Sequence, residues 1–153
     1  MANLPIEIHD AEAIVTMIKK YHLDRKNQLT YHAFIPPYGQ PVISVIRQIV
    51  GDDVCKDTAR ELFGVDYRGL AVIVCKQLRT LHLAVYPIDG MYYGHAHDDF
   101  HFLRPPKEMQ PGVPLQSVEK SRMINKCKDI LALADYYYDP TPDLPGWSGP
   151  RLA

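Results

Sequence analysis

Cysteine is scarce in this chain, and the motifs that usually accompany it are missing. The chain holds only Cys55, Cys75 and Cys127, and no Cys-x-x-Cys pair is present. This odd number and wide spacing exclude a disulfide framework and a zinc knuckle. We therefore expect three reduced, buried thiols.

An excess of charge of either sign is missing as well. Lys and Arg total 17 against 18 for Asp and Glu, so the chain has no overall field that would hold nucleic acid or an anionic membrane. The N-terminal region has no basic lead, and its longest apolar run, residues 13–15, is much shorter than a signal-peptide core. We therefore expect a cytoplasmic protein with no membrane partner and no nucleic-acid partner indicated by its charge.

Three common catalytic and binding motifs are also missing. The chain has neither Gly-x-x-x-x-Gly-Lys nor Gly-x-Gly-x-x-Gly, the two commonest loops for binding nucleotides. It also lacks the Gly-x-Ser-x-Gly turn that exposes a nucleophilic serine. A nucleotide-dependent activity and a serine hydrolase of that type therefore have no support.

The length and composition are those of one folded domain. With 153 residues and 46% hydrophobic content, the chain can bury a core without covalent staples. Apolar residues at helical spacing predict helices over residues 10–21 and 52–63, and a third that begins after a Ser117 cap and ends near Ala134.

Between the predicted helices, several segments are typical of strands. Residues 28–35 and 42–50 are rich in strand-forming side chains, and residues 70–75 and 81–86 resemble the two arms of a hairpin. This order predicts an α+β domain over 1–153, in which a mainly antiparallel sheet packs against about three helices. Residues 139–153 are proline-rich and are predicted to form an irregular tail over the surface.

Histidine and carboxylate side chains are concentrated in one short segment, which reads Gly-His-Ala-His-Asp-Asp-Phe-His from Gly94. We predict a strand over residues 91–103. Because successive side chains of a strand point to opposite faces, the strand would place four polar side chains in one row. These are His95, His97, Asp99 and His101.

Such a row predicts a metal site. Zinc and manganese take three or four nitrogen or oxygen ligands, and imidazole with carboxylate suits both ions. We assign His95, His97 and Asp99 as metal ligands, and His101 or His32 as the group that handles protons. A further ligand would come from His32, His82 or Asp89. The predicted function is a small metal-binding protein that acts as a metal-dependent hydrolase on a small-molecule or phosphate-containing substrate.

A structural explanation of the same segment stays open. Histidines in a turn-rich segment often bond only to the backbone or to solvent, and Asp98 and Asp99 can cap the turn that follows.

A second hypothesis needs no metal. Arg47 interrupts an apolar run, and its charge cannot lose water without a partner. That partner is either a structural carboxylate, such as Glu61 or Asp66, or a bound phosphate held by the guanidinium. In the latter case His32 and His97 would be the general acid and base of a phosphodiesterase or ribonuclease.

A third hypothesis is a non-enzymatic module, an inhibitor or immunity-type protein, that binds another protein. Its contact surface would consist of the Asp98-Asp99 loop and the tail, which contains Trp147. We favour instead a Trp147 that folds back against the core, because a lone tryptophan is more often buried than exposed.

Overall fold

The computed structural model describes residues 7–37, 40–88, 92–105 and 118–153. Six strands form one sheet with the order β4-β5-β2-β1-β3-β6, and each neighbouring pair is antiparallel. The strands are β1 (Ala13–Lys19), β2 (Val42–Arg47), β3 (Tyr67–Val74), β4 (Leu83–Pro87), β5 (Tyr93–Asp98) and β6 (Asp135–Tyr138). The α-helices of the described residues are α1 (Asp52–Phe63), α2 (Cys75–Thr80) and α3 (Val118–Leu133). The predicted α+β class, with an antiparallel sheet and three helices, is confirmed.

The two faces of the sheet are covered differently. On the first face, Met123, Cys127 and Ile130 of α3 join the larger core cluster. On the second face, α1 packs over β1 and β3 and contributes Cys55 and Ala59 to a smaller cluster. Further along the second face, several side chains of β2, β5 and β4 are half-buried or exposed. That part of the sheet carries the predicted histidine row.

The helix predicted over residues 10–21 is wrong, because the segment forms β1 at the centre of the sheet. All five side chains from Ile14 to Ile18 are buried. A strand that is buried on both faces shows no apolar-polar alternation, so its apolar residues also fit a helical spacing. The β-branched Ile, Val and Thr side chains favour the strand.

The strand predicted over residues 28–35 is also wrong, because this segment contains a 3-10 helix, Tyr31–Phe34. A tight turn precedes it. The Asp24 carboxylate accepts hydrogen bonds from the amides of Lys26, at 2.8 Å, and Gln28, at 3.0 Å. This local turn chemistry prevents a longer extended segment.

The hairpin predicted over residues 70–86 is wrong as well. The linking residues form α2, and the chain then crosses to β4, which is an edge strand and is separated from β3 by three other strands. The linker, Lys76 to Thr80, lacks the Gly or Asn that a two-residue hairpin turn requires and is rich in helix-forming side chains.

Other predictions agree with the structure. The second predicted helix is α1, and the strand favoured for residues 42–50 is β2, followed by a 3-10 turn. The third predicted helix is α3, although its proposed Ser117 cap lies outside the described residues. The three cysteines are free and buried, as predicted.

The tail lies against α1. Three acidic side chains of α1 accept hydrogen bonds from tail amides: Asp57 from Gly146, Asp53 from Trp147, and Asp52 from Leu152. Leu152 is buried, and the Trp147 ring packs against the second-face cluster. The position of the tail is therefore set by acidic side chains in α1.

Candidate functional site

Strand β5 places two histidines on the second face of the sheet. Gly94, Ala96 and Asp98 are buried toward the first face, whereas His95 and His97 are half-buried on the other. Their cross-strand neighbours are small or apolar. His95 lies between Ser44 and Tyr86, and His97 lies between Val42 and Ala84. The predicted alternation therefore holds for this pair.

The strand ends at Asp98, earlier than predicted. The Asp98 carboxylate is buried and accepts the amides of Phe100, at 3.1 Å, and Phe102, at 3.0 Å. It also pairs with Lys126 of α3, at 3.3 Å. Asp98 therefore caps a turn, as the structural explanation proposed, and is not part of an exposed acidic surface. Asp99 and His101 therefore lie beyond the end of the strand and do not extend the row of side chains formed by His95 and His97.

The turn nevertheless brings His101 back to the strand. His101 adopts a positive φ of 58°, and its ring lies edge-on to that of His97, with 5.3 Å between centroids. The His95 ring contacts the exposed Tyr86 ring instead, at 5.9 Å. We call His95, His97, Asp99 and His101 the histidine ridge. Within the described residues, no group of three or more histidine, cysteine, aspartate or glutamate side chains is arranged so that it could hold a metal ion.

The other candidate ligands have separate contacts. His32 is exposed in its 3-10 helix, stacks on Tyr31 at 4.3 Å and shares a hydrogen bond with Thr30. His82 is also exposed and contacts the Phe100 ring at 4.9 Å. Neither makes a ring contact with the histidine ridge. Asp89 lies outside the described residues.

The guanidinium of Arg47 forms a salt bridge with a carboxylate of the protein itself. Its side chain is 0% exposed, and the guanidinium donates to both carboxylate oxygens of Glu12, at 2.6 and 3.0 Å, and to the Glu7 carbonyl. The partner is thus Glu12, not the predicted Glu61 or Asp66. Arg47 also lies at the opposite end of β2 from Val42, the neighbour of His97. The structure does not bring Arg47 together with His32 and His97.

His22 is a titratable residue that the sequence reasoning missed. It is half-buried, and its Nδ1 accepts the Lys19 amide at 3.2 Å. The pKa of His22 is lowered to about 4, mainly because burial disfavours the charged ring and also because of electrostatic interactions with Lys19 and His32. No local pattern marks this residue, because its burial depends on the turn that follows β1.

A second polar cluster, also missed, joins α1 to the tail. Lys56 and Asp139 are both 0% exposed and pair at 3.1 Å. The Lys56 ammonium also donates to the carbonyls of Thr141 and Gly146, and Asp139 accepts from the Tyr67 hydroxyl and the Thr141 amide. We call these five residues the tail network. Because every charged atom is bonded, the network is structural.

Comparison with protein-family models, curated proteins and solved structures finds no match to this chain. The described helices include no segment with the length and hydrophobicity of a membrane span.

Proposed function

We propose that the histidine ridge binds one divalent metal ion, zinc in preference to manganese, and that the protein is a metal-dependent hydrolase. The observation that carries the proposal is the pairing of His97 with His101 across the end of β5. Imidazole-rich sites suit zinc, whereas manganese prefers oxygen ligands.

The spacing of this pair fits two ligands of one ion. Zinc binds imidazole nitrogen at about 2.0–2.1 Å, so two rings on a tetrahedral ion have centroids about 5 Å apart. The His97 and His101 centroids are separated by 5.3 Å. The separation of the two rings is therefore compatible with two ligands of one ion.

Two further donors lie in the same segment. His95 shares its face of β5 with His97, and the exposed Asp99 lies between His97 and His101 in the chain. Either side chain is a candidate for the third protein ligand. A site with three protein ligands would keep one position for water, as catalytic zinc sites do.

When bound, such an ion lowers the pKa of its water to about 7 and polarises a substrate oxygen. The chain's own contribution is to hold His95 and His97 on a strand, to place His101 beside His97 through the turn that follows, and to leave one side of the ridge open. Ser44 and Val42, the neighbours of His95 and His97 on β2, are exposed and half-buried, respectively, so this part of the sheet face is open to a substrate. The cytoplasmic location is part of this proposal, because three unpaired thiols suit a reducing compartment.

The metal part of the proposal is tested by titrating the protein with zinc in a calorimeter. His97→Asn and His101→Asn are expected to weaken zinc binding at least tenfold. His82→Asn is the matched control, because His82 and His101 are both exposed and both adopt a positive φ, of 63° and 58°. Asn tolerates that conformation. Equal zinc affinity in all four proteins, or no binding at all, would contradict the proposal.

The catalytic part is tested with p-nitrophenyl acetate and bis(p-nitrophenyl) phosphate. The zinc-loaded protein is expected to cleave at least one of them, and EDTA or His97→Asn is expected to abolish the activity while His82→Asn preserves it. If neither substrate is cleaved, or if cleavage survives both the chelator and His97→Asn, the hydrolase assignment is wrong.

A further inference from the structure

A groove opens on the second face of the sheet, between the end of α1 and the segment that contains the 3-10 helix. Its volume is about 440 Å³, within the range of small-molecule sites. Most of its lining is apolar and includes the side chains of Met17, Val42 and Phe63. A ligand in this groove would therefore bury an apolar body.

A lysine lies at the edge of this apolar surface. Lys19 ends β1, lines the groove, and holds its ammonium 5.3 Å from the centroid of the Phe63 ring. Its neighbour Lys20 pairs with Asp66, but no carboxylate in the described part of the chain pairs with Lys19. The ammonium of Lys19 is therefore available to an anionic group.

An uncharged hydrogen-bond donor lies beside this charge. His22 also lines the groove, and its Nδ1 is the acceptor of the Lys19 amide. Because its pKa is lowered to about 4, the ring is neutral near pH 7 and carries its proton on Nε2. Among the described residues this Nε2–H has no acceptor. The charge of Lys19 is close enough to His22 to contribute to its lowered pKa, so the groove is lined by an ammonium and an N–H group that lie near each other.

We propose that this groove binds a small monocarboxylate with an apolar chain or aryl body. The carboxylate pairs with the Lys19 ammonium and accepts the Nε2–H of His22, and the apolar body lies against Met17, Val42 and Phe63. One cation and one directed donor match a single carboxylate. This binding site requires no metal, so it stands or fails separately from the histidine ridge.

The test is calorimetric titration with octanoate in EDTA, compared with octan-1-ol and octylammonium. We expect saturable binding of octanoate and at least tenfold weaker binding of the other two probes. Lys19→Met is expected to weaken octanoate binding at least tenfold, Lys19→Arg to preserve it, and the adjacent Lys20→Met to leave it unchanged.

The position of the ligand is tested by filling the groove from an exposed residue. Ser44→Phe, which adds a ring on the groove side of β2, is expected to abolish octanoate binding, whereas Ser44→Ala is expected to keep it. The proposal is overturned if octanoate does not bind, if it binds Lys19→Met as well as the unmodified protein, or if octylammonium binds equally well.

Discussion

The tail network and the histidine ridge are both clusters of polar side chains, but they differ in how completely their polar atoms are bonded. Lys56 and Asp139 are fully buried, and each has several hydrogen-bond partners. His95 and His97 are half-buried, and their rings contact the edges or faces of other rings. The first cluster joins distant segments of the chain, whereas the second faces outward from a strand.

The difference distinguishes polar residues that stabilise the fold from polar residues that remain free to bind a ligand. A buried charge is tolerated only when its partners are all present, and a group whose donors and acceptors are all used has none left for a ligand. An imidazole on an open sheet face keeps a nitrogen lone pair for a metal ion. Burial with full bonding thus argues for stability, and partial exposure with few bonds argues for function.

Removing a charge from the tail network should have the largest effect on stability. Asp139→Asn leaves the ammonium of Lys56 buried without a counter-charge, so we expect the free energy of unfolding to fall by about 3–5 kcal/mol. Urea denaturation monitored by Trp147 fluorescence measures the change. Asp143→Asn, an exposed position in the same tail, is the control and is expected to change stability by less than about 0.5 kcal/mol.

A double variant sharpens this result. Lys56→Met combined with Asp139→Asn removes the unpaired charge, so the double variant is expected to be more stable than the sum of the single losses predicts. Strictly additive losses would show that the two side chains do not act as a pair.

His22 lies between the two extremes, because it is half-buried and has one hydrogen bond. Its pKa is lowered from 6.5 to about 4 in the folded protein. Between these pH values the unfolded chain binds a proton that the folded chain does not, so stability is lost as the pH falls through this window. At 1.36 kcal/mol per pKa unit the loss is up to about 3 kcal/mol.

The matched variant is His22→Asn, whose side-chain oxygen can accept the Lys19 amide without titrating. Unfolding free energies of both proteins are measured from pH 7.5 to pH 4. The stability of the unmodified protein should fall more steeply below pH 6.5 than that of the variant. Parallel curves would show that His22 is not held neutral by its surroundings.

The histidine ridge should show the smallest effect on stability. In metal-free buffer, His97→Asn and His101→Asn are each expected to change the free energy of unfolding by less than about 0.5 kcal/mol, because neither side chain is fully buried or bonded to a charge. A loss as large as that of Asp139→Asn would place the ridge with the structural clusters.

Local patterns in the sequence were sufficient for part of the fold. The sequence shows the apolar stripe of α1, with Gly64 directly after its last residue, and the alternation of buried and half-buried side chains in β5. Both patterns are visible because each element buries one side only. The strand at the centre of the sheet cannot be predicted in this way. Because β1 is buried on both faces, its apolar residues fit the period of a helix as well as that of a strand. The connection from β3 to β4 through α2 is determined by tertiary packing, and no local sequence pattern specifies it.

The candidate site was predictable to a similar extent. The shared face of His95 and His97 follows from the strand period alone. The structural explanation anticipated the turn that Asp98 caps, but the buried pairing of Asp98 with Lys126 of α3 and the return of His101 toward His97 have no local signal. The pairing of Lys56 with Asp139 joins residues far apart in the chain, so neither residue signals it locally.

If the histidine ridge binds zinc as proposed, no other imidazole of the described chain should do so. The decisive measurement is ¹⁵N NMR of the histidine ring nitrogens during a zinc titration. We expect the signals of His95, His97 and His101 to shift together and saturate at one equivalent, while those of His9, His22, His32 and His82 do not move. Unchanged ridge signals at saturating zinc, or equal shifts at His32 and His82, would contradict the proposal.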